Sequence, residues 1–221
     1  MSRRDTLLAA SACALLSAAD AAQASTEVGT YLPSAGVKDF VTFKPDRQKT
    51  PAIRAGTVDP SNPYSFALPP TWSERKVANI ASGNYCQPRC AEPWTEVIFA
   101  DDSEGKASVL AAPLVRFTNQ KNATIEDIGN PEGFLASVGP FITGTYLDLD
   151  DVVSMSAEKR EDGLMYYSYD IYATYGLTGP HTLTTCTVKG DLALLFCVSA
   201  NDKQWGRSKA KLQSMMDTFR A

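Results

Sequence analysis

Histidine is almost missing from this chain: His181 is the only one in 221 residues. A zinc site built on two histidines is therefore excluded, and a serine-histidine-aspartate triad would have to use His181. Clustered positive charge is scarce as well. There are 21 Lys and Arg against 25 Asp and Glu, for a net charge of −4 and a pI of about 5.1. A nucleic-acid-binding face is not expected from that balance. No apolar run is long and clean enough for a spanning helix, because Asp20 interrupts the best one. What remains is ordinary for a folded protein: 44% hydrophobic and 21% charged residues, enough for one domain plus extensions or two small domains.

Residues 1–24 read as a cleaved export signal. Arg3 and Arg4 give a basic start, Leu7 to Ala22 is rich in Ala and Leu, and Ala22-Gln23-Ala24 is a small-x-small cleavage site. The paired arginines followed by Leu7 and Leu8 are similar to a twin-arginine signal, with an ordinary secretory signal as the alternative. Cys13 after Ala10-Ser11-Ala12 only loosely resembles a lipoprotein box. Cleavage after Ala24 removes Arg3, Arg4, Asp5 and Asp20, so the mature charge stays at −4.

Residues 25–63 are broken by Pro33, Pro45, Pro51, Pro60 and Pro63, with one short strand expected within Val37 to Phe43. Two readings stand: a solvated loop on the domain surface, or a mobile arm that orders on a partner. The basic residues Lys44, Arg47, Lys49 and Arg54 are then the candidate partner contacts.

Residues 64–221 carry the folding signals. Tyr64 to Leu68 alternates as a strand and ends at Pro69-Pro70, with Trp72 expected to pack back over the core. Trp94 to Phe117 is a hairpin, two β-favouring arms around Asp101-Asp102-Ser103-Glu104-Gly105-Lys106, taken as the middle of the sheet. Pro113 should end its second arm. Thr124 is expected to cap one helical turn. Asn130 and Pro131 open a helix expected to end near Gly139-Pro140. Hairpins are expected around Gly163 and Gly190-Asp191. Leu192 to Ser199 is apolar enough for a central strand covered on both faces. Asn201 should cap a final helix whose stripe is Trp205, Ser208, Leu212, Met215, Met216 and Phe219. Hairpins with an inserted helix and a terminal helix indicate α+β, an antiparallel sheet with helices packed on it.

Four cysteines follow the signal. Cys86 and Cys90, flanking Pro88, are the disulfide candidates, and such a bridge would add roughly 2 kcal/mol if unstrained. A two-residue turn at Gly190-Asp191 sets Cys186 opposite Leu195 and Cys197 diagonal to it. That pair reads better as two small buried hydrophobes than as a bridge. Asp148, Asp150, Asp151 and His181 are metal candidates. Neither that acidic cluster nor Asp101-Asp102-Glu104 has the spacing of an EF-hand. Asn122-Ala123-Thr124 is a glycosylation sequon, relevant only on an endoplasmic-reticulum route.

Taken in order, Tyr64 to Trp72, the Glu96-to-Gly105 hairpin, Val109 to Pro113, Pro131 to Leu135, Gly163 to Tyr172 and Trp205 to Phe219 resemble the PsbP family of lumenal photosystem II proteins and their paralogues. The resemblance spans about Tyr64 to Arg220. It implies a PsbP-like α-β-α sandwich, a place in the chloroplast thylakoid lumen and no catalysis. The cysteine set is more similar to that of paralogues tied to photosystem assembly than to the oxygen-evolving subunit. The expected role is docking on lumenal proteins of photosystem I or photosystem II, peripheral to the membrane, by a chain monomeric when free. An extrinsic photosystem II subunit aiding calcium and chloride retention is the alternative, and thiol-disulfide exchange through Cys86 and Cys90 a second one. Calcium enters only through the resemblance.

Overall fold

The computed structural model describes residues 26–48, 58–77 and 93–221. β1 (Val41–Phe43) and β2 (Phe66–Leu68) form a two-stranded antiparallel ribbon. Seven further strands form one antiparallel sheet. They are β3 (Ser73–Arg75), β4 (Trp94–Asp101), β5 (Gly105–Pro113), β6 (Val152–Lys159), β7 (Met165–Tyr172), β8 (His181–Lys189) and β9 (Leu192–Ala200). Their spatial order is β3-β4-β5-β9-β8-β7-β6. The helices are α1 (Ile125–Ile128), α2 (Pro131–Thr143) and α3 (Asp202–Asp217). This is the α+β arrangement expected from the sequence. None of the described helices is long and apolar enough to cross a membrane.

Strand β9 holds the centre because all nine of its residues are buried. A strand that is apolar on both faces needs cover on both faces. The β4–β5 hairpin, expected in the middle, therefore lies to one side of β9. Its half-buried residues alternate with buried ones, which suits a less central place. Pro113 is the last residue of β5, where the β4 ladder has already ended, so its missing N–H leaves no gap there. The turn between β8 and β9 is Gly190-Asp191, with Gly190 at φ +59° and Lys189 opposite Leu192. That register puts Cys186 opposite Leu195 and Cys197 opposite Thr184, and both thiols are free and buried.

The two faces bury separate cores. On one, α3 and the β1–β2 ribbon enclose Phe43, Phe66, Phe99, Phe196 and Phe219. On the other, α1 and α2 cover Tyr167, Tyr169, Ile171 and Cys186 with Phe134, Val138 and Ile142. Caps fix the helix starts. Thr124 and Asp127 form a capping box, Asn130 accepts from the Gly133 N–H at 2.9 Å, and Asn201 accepts from the Gln204 N–H at 2.9 Å.

Two expectations need correction. The stretch 25–63 is not wholly an arm: Val28, Val41, Phe43 and Val58 lie in the core. Val28 and Gly29 donate to the Trp72 and Pro70 carbonyls, both at 2.8 Å. Gly29 is required there, since a Cβ would stand 2.5 Å from Pro70 Cβ. Helix α2 also runs through Pro140 to Thr143. Proline inside a helix loses its N–H bond and crowds the carbonyl four residues back, but the extra turn buries Ile142 before Gly144 ends the helix at φ +75°.

A candidate docking surface at the outer edge of the sheet

The two sheet edges differ. β3 is three residues long, too short to template much pairing. β6 has eight residues, and all but Val152 are exposed. Among the described residues no element pairs with its outer side. Against β7 the register shifts between Val152 and Ser154, so Val153 is a bulge residue and turns away exposed.

Beside the start of β6 stand unusually bare apolar side chains. Tyr146 is 92% exposed, Tyr175 87% and Leu177 81%, with Leu149 and Val153 also open to solvent. They sit on structured backbone. Leu177 donates its N–H to the Thr143 carbonyl at 2.8 Å, fixing the loop after β7 to the end of α2. An apolar niche of about 200 Å³ opens between α2 and the chain leading into β6, lined by Leu135, Gly139, Tyr146, Leu147, Leu149 and Val152. Exposed apolar side chains grouped in this way make this face the candidate docking surface.

The rim is acidic. The 37 residues from Asn122 to Glu158 contain seven Asp or Glu and no Lys, Arg or His. Asp148, Asp150 and Asp151, named from the sequence as metal candidates, belong to this rim. Asp151 Oδ2 accepts from the Asp148 N–H at 3.0 Å, so this pair closes a turn. No group of three metal-ligating side chains converges among the described residues. His181 is occupied elsewhere: its Nε2 lies 2.9 Å from Asp202 Oδ1, and its ring stacks on Trp205 at 4.6 Å.

Other titratable groups serve the fold. Burial pushes the Cys186 thiol well above its ordinary range and Cys197 up to about 12, so neither offers a thiolate near neutral pH. Glu96, buried by the bulge between Thr95 and Val97, accepts from the Trp94 indole N–H. Burial and the nearby Glu96 charge raise the Tyr64 hydroxyl. A groove of about 700 Å³ is open and runs past Leu114, Val115, Lys121 and Asp191. Its one Asp outside the β8–β9 turn, Asp59, is bonded to Ser61.

Of the basic residues named as partner contacts, Lys44 and Arg47 are exposed just after β1, while Lys49 and Arg54 lie outside the described residues. So do Cys86, Cys90 and the signal segment. Tyr146, Leu149, Val153, Tyr175 and Leu177 were not among the residues expected from the sequence. The signal that would have found them is the long acidic stretch punctuated by apolar residues in turns.

The PsbP family profile matches residues 56–221. The chain is 50% identical over 194 residues to PsbP domain-containing protein 6, chloroplastic, of Arabidopsis thaliana, covering 87% of this chain and 72% of that protein. It is 32% identical over 163 residues to PsbP domain-containing protein 4, chloroplastic, of the same plant, covering 73% of this chain and 56% of that protein. A solution structure of cyanobacterial PsbP from Synechocystis aligns over 86% of this chain and 96% of its own, with 18% identity and a TM-score of 0.49.

Proposed function

Because the chain belongs to the PsbP family, we propose that it is a non-catalytic protein of the chloroplast thylakoid lumen that docks on a photosystem complex as an assembly or stabilising factor. The observation that carries this reading is the exposure of Tyr146, Tyr175 and Leu177 near the bare edge of β6, with Leu177 bonded through its N–H to the Thr143 carbonyl. Side chains this exposed add nothing to the packing of either core, so their cost in solubility is explained by a partner. The chloroplast placement follows the names of the two Arabidopsis relatives and the export-type signal in residues 1–24. Cleavage after Ala24 leaves a protein peripheral to the membrane and monomeric when free. In this reading Cys86 and Cys90 are joined as a disulfide, and peptide mapping without reductant should recover them linked.

The test uses thylakoid membranes and the mature chain. Wild type should migrate with photosystem I or photosystem II particles on native gels. Tyr146→Ser combined with Leu177→Ser should abolish that migration while leaving the melting temperature within about 2 °C, since exposed positions change stability little. Migration with neither particle, or full binding by the double variant, would refute the docking role. Insulin-reductase activity lost on Cys86→Ser would favour thiol exchange instead.

A further inference from the structure

We infer that the outer edge of β6 receives an added strand: an extended segment of the partner protein that carries an apolar side chain for the α2 niche and Lys or Arg for the acidic rim. The biological partner rests on the docking reading above; the chemistry of the site stands by itself.

Three observations converge. The first is the edge. In Ser154 to Lys159 every second residue turns its N–H and C=O away from β7, toward solvent. Folded proteins blunt such edges with proline, central charges, bulges or short length. Here the bulge is at Val153 and the charges, Glu158 and Lys159, are at the far end. Ser154-Met155-Ser156-Ala157 between them has neither charge nor proline.

The second is the niche. It shares Val152 with the start of the same strand, so a peptide pairing along β6 ends beside it. Strand addition takes affinity from main-chain hydrogen bonds and specificity from pockets that receive alternate side chains. The third is charge. Glu132 and Asp148 line the niche, Asp150 and Asp151 follow, and no basic residue occurs between Asn122 and Glu158. A second copy of this chain would bring the same carboxylates and repel; an anionic lipid surface would do likewise. A basic, extended polypeptide meets both the hydrogen-bonding edge and the charge.

The probe is a ten-residue peptide alternating Val and Lys. One control replaces each Lys by Glu, and another is methylated at every central backbone nitrogen. Binding to the mature chain is followed by hydrogen exchange and by titration at two salt concentrations. The Lys peptide should bind, slow exchange at alternate amides of residues 154–159 at least tenfold, and weaken as salt rises. The Glu peptide should bind at least tenfold more weakly and the methylated one not at all. Asp148→Asn with Asp150→Asn, both at exposed positions, should lower affinity for the Lys peptide several-fold and flatten its salt dependence. Equal binding of the Glu or methylated peptide overturns the proposal. So does binding without protection of 154–159, protection that appears from self-association alone, or no binding of the Lys peptide. Failure here with photosystem migration intact removes strand addition and leaves docking standing; the reverse result removes docking on a photosystem and leaves the site.

Discussion

Phe219 sits where three parts of the molecule meet. Its ring stacks on Phe196 at 5.2 Å and lies 6.3 Å from both Tyr64 and Tyr166, fully buried. Truncating a ring so enclosed leaves a cavity that its neighbours cannot close. Phe219→Ala should cost about 3–5 kcal/mol and lower the urea midpoint with an unchanged slope. Asp170 is the opposite kind of residue. Burial raises its carboxyl, and Lys209 and His181 offset that only in part. A carboxyl raised in the folded state costs stability while ionised. The cost fades as pH falls through the folded value and is gone below the unfolded value of about 3.9. Asp170→Asn should therefore be the more stable protein near about pH 7 and indistinguishable from wild type near about pH 3 by urea titration. Residue fates of this sort were only partly legible in the sequence. The burial of Phe219 followed from the apolar spacing after Trp205, but the helix expected to carry it stops at Asp217 and leaves Phe219 two residues beyond. Glu96 reads as a solvent-facing carboxylate in an alternating strand, and only the bulge in the β4–β5 register turns it inward.

Between elements, one side chain ties α3 to the β4–β5 hairpin. Glu104 accepts from the Trp72 indole N–H at 2.7 Å and pairs with Lys211, while its carbonyl accepts from the Ser208 hydroxyl at 2.6 Å. The two side-chain links differ in weight. Lys211 is partly exposed, so the ion pair contributes roughly 0.2–1 kcal/mol. Trp72 is fully buried, and its N–H without an acceptor would cost about 1–3 kcal/mol. Glu104→Ala should thus destabilise two- to threefold more than Lys211→Ala in chemical denaturation, and Glu104→Gln should recover most of the difference by restoring the acceptor. Helix starts were legible because caps are chemistry within four residues: Thr124, Asn130 and Asn201 each do what their side chains suggest. The end of α2 was not, because the stop expected at Pro140 is overruled by the burial of Ile142 against the sheet, a long-range term that no window of sequence contains.

At the scale of the molecule, hairpins were legible and strand order was not. β8 and β9 announce their pairing through Gly190-Asp191, so even the places of Cys186 and Cys197 could be read. The joining of β5 to β9 spans some eighty residues of chain and leaves no local trace, which is why the centre of the sheet was misplaced. The docking surface was missed for a related reason: apolar residues in turns look like buried staples until the fold shows nothing above them. Ser65 and Arg220 exchange both backbone hydrogen bonds, at 2.8 and 2.9 Å, joining the β2 end of the domain to the residues after α3. Phe219 precedes Arg220 and stacks on Phe196 of β9, so this pair of bonds also holds in place the ring that covers that face of the central strand.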